Sequence, residues 1–204
     1  MSVAPATITP TTLEEFLALP ETKPAQEFIF GAISQKPMPK LPHSTLQVQI
    51  ASLINRMAQP QKLAYAFPEL RCSFAGMSIV PDIVILRWQK IPFQPDGSVA
   101  DEFNAVPDWL IEIVSPGQSP LAVMNKLGIA ITNGVELGWL IIPHRRSILV
   151  YTGDDIPEMK QGGDTLPVLA VIPEWRITVE EIFQLLSIGW MLPSLGVREL
   201  PAIN

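Results

Sequence analysis

A single cysteine, Cys72, stands in a chain of 204 residues. That excludes an internal disulfide framework and any zinc site built on cysteines, and it suits a reducing cytoplasm. The N-terminus lacks a basic segment followed by an apolar core, so no signal peptide is expected. No apolar run is long enough to span a bilayer. The most apolar late stretch, Leu185 to Val197, is short and is interrupted by Pro193, so packing within the domain or between subunits is expected of it, and no membrane. There is no Gly-rich phosphate loop and no Gly-x-Ser-x-Gly elbow, which counts against a small-molecule enzyme on an α/β sheet. Basic residues are in deficit: Lys and Arg number 14 against 20 Asp and Glu, a net charge of −6. Such a balance speaks against general affinity for nucleic acid, because basic surface is what displaces the counterions. It leaves room for a local basic groove or a metal-dependent site.

What is present is the composition of a folded globular protein, 48% hydrophobic and 17% charged. No repeat, low-complexity tract or linker divides it, so residues 1–204 are read as one domain. The 21 prolines fall where elements should end. Thr11 and Glu14 form a capping box for a short first helix. "EFIFGAISQK" reads as a hairpin or bent strand. "HSTLQVQIASLINRMAQP" is the clearest helix, with Ser44 and Gln47 as its cap and Leu46, Ile50, Leu53, Ile54 and Met57 as its apolar stripe. "RCSFAGMSIVPDIVILRW" suggests two strands turning near Gly76. A helix should run from Ser119, with Pro120 at its first position and Gly134 just past its end. "GWLIIP" and "SILVYTG" are strands joined by "HRR", and Thr178 with Glu181 caps a last helix. The class is α/β, a central sheet of about five strands flanked by helices.

Two runs, "VPDIVILR" and "VPDWLIEIVSPG", are strands entered through Pro-Asp. In the second, Trp109, Ile111 and Ile113 share one face, while Leu110, Glu112 and Val114 share the other. A strand apolar on both faces belongs inside a covered sheet, where an ionised Glu112 is costly without compensation. Asp108 lies four residues from Glu112, roughly 13 Å along the strand, too far to share an ion with it. Asp108 is therefore read as structural. Asp82, on the other strand, can converge with Glu112. Two compensations are open. One is a divalent cation, Mg²⁺ or Mn²⁺, held by Asp82, Glu112 and the carbonyl of Ile113. The other is hydrogen bonding to backbone amides or to an arginine such as Arg87. Lys126, in the following helix, has only apolar or small neighbours at i±3 and i±4. Either its ammonium points toward the end of the sheet, or its stem covers the core while its head reaches water.

Together these segments resemble the Uma2 family, also called DUF820, of endonuclease-like proteins in the PD-(D/E)xK superfamily. The resembling pieces, in order, are "EFIFGAISQKPMPKLPHSTLQVQIASLI", "PELRCSFAGMSIVPDIVIL", "PDWLIEIVSP" and "NKLGIAITNGVELGWLIIP". The resemblance implies a restriction-endonuclease-like fold, a central mixed sheet flanked by helices. It also implies a divalent-metal endonuclease acting on nucleic acid, DNA above all, and a homodimer. By the same resemblance Asp82 and Glu112 are metal acids and Lys126 replaces the superfamily lysine, whose usual place is Val114. Glu69 and His43 match positions near the site. The chain departs from the family where "GQSPLAVMN" carries no acid and where Ala130 stands in place of a tyrosine. These departures suit a second reading, a nuclease fold kept as a binding or assembly module.

Overall fold

Runs of β-branched and aromatic residues, broken by Pro and Gly, account for most of the architecture. The computed structural model describes residues 12–153 and 155–188. Among them the elements follow in the order α1 (Leu13–Leu17), β1 (Gln26–Ile29), β2 (Ala32–Gln35), α2 (Leu41–Ala58), β3 (Ala64–Pro68), β4 (Cys72–Phe74), β5 (Met77–Ile79), β6 (Ile83–Arg87), β7 (Trp109–Ile113), α3 (Pro120–Thr132), β8 (Leu137–Ile142), β9 (Ser147–Thr152), β10 (Glu158–Gln161) and α4 (Val179–Gln184). The central sheet has six strands in the order β10-β9-β8-β7-β6-β3, and a smaller sheet has the order β2-β1-β5-β4. The central sheet is mixed: β7 and β8 are parallel, joined through α3, and the other pairs are antiparallel. A parallel pair needs such a crossover.

Both faces of β6, β7 and β8 are buried, so these strands carry near-continuous apolar sequence rather than alternation. Ile83, Ile85, Trp109, Ile111 and Trp139 pack under α2 and α4. Val84, Leu86, Leu110 and Leu140 pack under α3 and the small sheet. Trp109 and Trp139 meet edge to face at 4.7 Å, with Trp175 beside them. Each such contact adds about 0.5–1.5 kcal/mol beyond burial, and the cluster fixes β7 from the face opposite Glu112. No helix among the described residues is long and apolar enough to cross a membrane.

The structure corrects several expectations. The central sheet has six strands rather than about five, and a second sheet exists. "RCSFAGMSIVPDIVILRW" folds as three strands, not two. The turn at Ala75 and Gly76, both at positive φ, closes the first hairpin. The Pro81-Asp82 break then lets β5 stay in the small sheet while β6 joins the large one. The cap of α1 is Thr12 with Glu15; Thr11 lies outside the described residues. Helix α2 begins at Leu41, with Pro42 in its first turn, and has no side-chain cap. Ser44 and Gln47 therefore lie inside it. Ser119 precedes α3 at the N-cap position without a side-chain hydrogen bond, whereas Thr178 and Glu181 do form a capping box. The stretch from residue 189 onward, including most of the apolar late run, lies outside the described residues.

Candidate active site

Asp82 and Glu112 face each other across two neighbouring strands. The antiparallel register pairs Ile83 with Ile111, so one step further sets Asp82 opposite Glu112 on the same face. Both carboxylates are buried. Like charges placed opposite one another across strands are destabilising, and the surrounding residues supply the compensation.

Asp82 is held from three directions. Its Oδ2 accepts the Ile113 N–H at 2.7 Å. Its Oδ1 accepts from Lys36 Nζ at 2.7 Å and lies 3.3 Å from His43 Nε2. Burial alone would raise its pKa, but His43 and Lys36 outweigh burial and hold the carboxyl well below the usual range. Glu112 has the opposite balance. Burial pushes its pKa up to about 7, against the pull of Lys126 and with the push of Asp82. Lys126 Nζ lies 2.8 Å from Glu112 Oε1. That ammonium is the cation that compensates the buried Oε1.

The ammonium of Lys126 is buried and fastened to Glu27, at 2.9 Å from Oε1 and 3.1 Å from Oε2. Desolvation works against its charge, yet Glu112 and Glu27 outweigh desolvation and raise its pKa above the usual lysine value. Glu27 Oε1 also accepts the Val80 N–H at 2.8 Å. Lys36 donates to the Val80 carbonyl at 2.7 Å. Both residues come from the β1–β2 hairpin or its immediate exit, so the small sheet clamps the site built on the large one.

Asp82, Glu112, Lys126, Glu69 and His43 line one cleft of about 440 Å³; Ile113 does not line it but reaches Asp82 through its N–H. His43, in the first turn of α2, is buried between Asp82 and Ser115, with Nδ1 3.0 Å from Ser115 Oγ. Glu69 sits at positive φ with its N–H on the Asp82 carbonyl at 3.2 Å. Its side chain is half exposed, 3.5 Å from Lys36 Nζ. Gln47 donates to that same Asp82 carbonyl at 2.8 Å. Arg87 does not reach Asp82. Its guanidinium and backbone N–H bind Asp108, which Lys90 also approaches at 2.9 Å. Asp108 thus ties together the ends of β6 and β7, a structural role.

Glu27 and Lys36 line the cleft and were not singled out by sequence reasoning. Glu27 carried a usable signal: it is an acid inside a β-prone arm, the same argument that singled out Glu112. Lys36 carried none, because a lysine at a hairpin exit normally reaches solvent.

The donor chemistry suits a hard divalent ion. Val114 N–H bonds Ile141 on β8, so the alternation of peptide groups turns the Ile113 peptides toward Asp82. The carboxylates of Asp82 and Glu112 and the Ile113 carbonyl are all oxygen donors, and water can complete such a shell once the ion competes with Lys36 and Lys126 for the two acids. Among the described residues no group of three or more His, Cys, Asp or Glu side chains forms a metal-binding set. Two carboxylates with one carbonyl are a smaller set than that.

The family described as "Uma2: Putative restriction endonuclease" matches residues 13–180. A crystal structure described as "a putative nuclease belonging to DUF820", from Anabaena variabilis ATCC 29413, is 41% identical with a TM-score of 0.83. The match covers 87% of this chain and 99% of that one. Among curated proteins nothing matches.

Proposed function

The chain belongs to the Uma2 family, and from that premise we propose that it is a divalent-metal-dependent endonuclease that hydrolyses phosphodiester bonds of nucleic acid, DNA above all. One observation carries the reading: two buried carboxylates and a buried lysine, from three separate elements, converge in one cleft. Asp82, Glu112 and the Ile113 carbonyl would hold Mg²⁺ or Mn²⁺. When bound, such an ion acidifies a water and offers a Lewis acid to a phosphate oxygen.

The residues of the chain do the rest. The Ile113 N–H, Lys36 and His43 fix the orientation of the Asp82 carboxylate. Burial raises the Glu112 pKa to about 7 in the metal-free chain, so Glu112 must give up its proton to serve as an ion's donor, and ion binding is expected to strengthen as pH rises through that value. Lys126 stays protonated because Glu112 and Glu27 hold it so. It serves as a fixed positive charge for the phosphate, oriented by Glu27. The chain is also proposed to act as a homodimer in the cytoplasm.

The test is purified protein with supercoiled plasmid, single-stranded DNA and RNA, with Mn²⁺, with Mg²⁺ and with a chelator. Metal-dependent nicking that Asp82→Asn abolishes supports the reading; no cleavage under any of these conditions removes it. One observation favours the binding-module alternative: Asp82 and Glu112 already have lysine partners without any ion. Binding of nucleic acid without cleavage would decide for it.

A further inference from the structure

Lys36 has no part in the chemistry above, yet it is among the most tightly held residues of the cleft. Its side chain is nine-tenths buried. Its ammonium faces three oxygens: the Val80 carbonyl at 2.7 Å, Asp82 Oδ1 at 2.7 Å and Glu69 Oε1 at 3.5 Å. A carbonyl flanked by two carboxylates is the donor set of a hard cation. Here a side-chain ammonium sits in it.

The charge count points the same way. With all four acids ionised, as donation to an ion requires of Glu112, the cleft sets Glu27, Glu69, Asp82 and Glu112 against Lys36 and Lys126, an excess of two negative charges. One divalent ion balances it, and a second would leave it strongly positive. Without Lys36 the excess is three, and one ion no longer suffices. Glu69 is half exposed, and its side chain is free to close the remaining gap to a smaller ion.

We propose that Lys36 is the site's fixed second cation. Its ammonium fills a position among Val80, Asp82 and Glu69 that would otherwise take a second divalent ion, so this chain works with one. The proposal rests on the reading that an ion binds at Asp82 and Glu112, but the difference between two variants tests it separately.

The experiment is Mn²⁺ titration of the full chain, followed by calorimetry and by electron paramagnetic resonance of free Mn²⁺. Wild type is expected to bind one ion per chain and Lys36→Ala two. The extra ion should vanish in Lys36→Ala/Glu69→Gln, and Lys36→Arg should keep the wild-type number. Equal stoichiometry in wild type and Lys36→Ala overturns the proposal, whatever that number is. A wild type that binds none beside a variant that binds one sustains Lys36 and removes the proposed catalytic ion. If Lys36→Ala is unfolded without metal, circular dichroism during Mn²⁺ addition replaces the comparison. Refolding with two bound ions supports the proposal, and failure to refold refutes it.

Discussion

Replacing Lys126 with methionine keeps most of the stem's volume and removes one charge. The structure makes that a costly change. The ammonium lies 2.8 Å from Glu112 and 2.9 Å from Glu27, and all three groups are buried. Its loss strands two carboxylates with no cation but Lys36, which Asp82 already engages. Removing one partner of a buried pair costs about 3–5 kcal/mol, a large part of the roughly 5–15 kcal/mol that holds a domain together. The cost must depend on pH. Glu112 already titrates at about 7 against an ordinary 4.5, and without Lys126 its folded pKa rises further. A carboxyl raised in the folded state contributes stability below its unfolded pKa and loses it as pH rises through the folded one. Lys126→Met should therefore be far weaker than wild type at pH 8 and approach it at pH 5. Urea unfolding followed by tryptophan fluorescence measures both, and Lys126→Met/Glu27→Gln should recover part of the loss at pH 8. A deficit below about 1 kcal/mol at pH 8 is the range of an exposed pair; that result, or the same deficit at both pH values, would refute the reasoning.

Three further outcomes are expected. Mn²⁺ should raise the melting temperature of wild type by mass action and leave Asp82→Asn unmoved. An equal rise in both would take Asp82 out of the ion site. Metal-free wild type should lose stability as pH rises from 4.5 through about 7, because of Glu112, and also as pH falls below 3.8, because Asp82 is lowered. A urea midpoint that climbs steadily to pH 8 contradicts this. Light scattering at high micromolar concentration should report a dimer, and a monomer would disprove that assembly.

The central strands were legible because they are buried on both sides. "IVILR" and "WLIEI" show an unbroken apolar character that exposed strands lack, and a single acid stands out against it. Strand spacing allowed Asp82 and Glu112 to converge, whereas the apolar helix neighbours of Lys126 left open whether its ammonium points to the sheet or reaches water; it is buried. The small sheet was harder to see. Its strands are three or four residues long, below the length at which periodicity is informative. Gln47 was read as a cap because it follows Ser44 at capping distance, but Pro42 lets α2 start earlier and sends the amide to Asp82. The compensation of the acids was left open between a cation and backbone amides. Asp82 takes an amide and a lysine, and the lysine lies 46 residues away in sequence, beyond any local pattern.

That separation has a consequence for the order in which the chain can assemble. Glu27 meets Lys126 across 99 residues, and Asp82 meets the Ile113 amide across 31. Contacts of such range close late, after shorter loops have formed. On a ribosome adding roughly 5–20 residues per second, Glu27 waits on the order of 5–20 s for its ammonium to be made. Until then, burying Glu27 would leave its carboxylate without the ammonium that compensates it in the folded chain, at a cost in free energy.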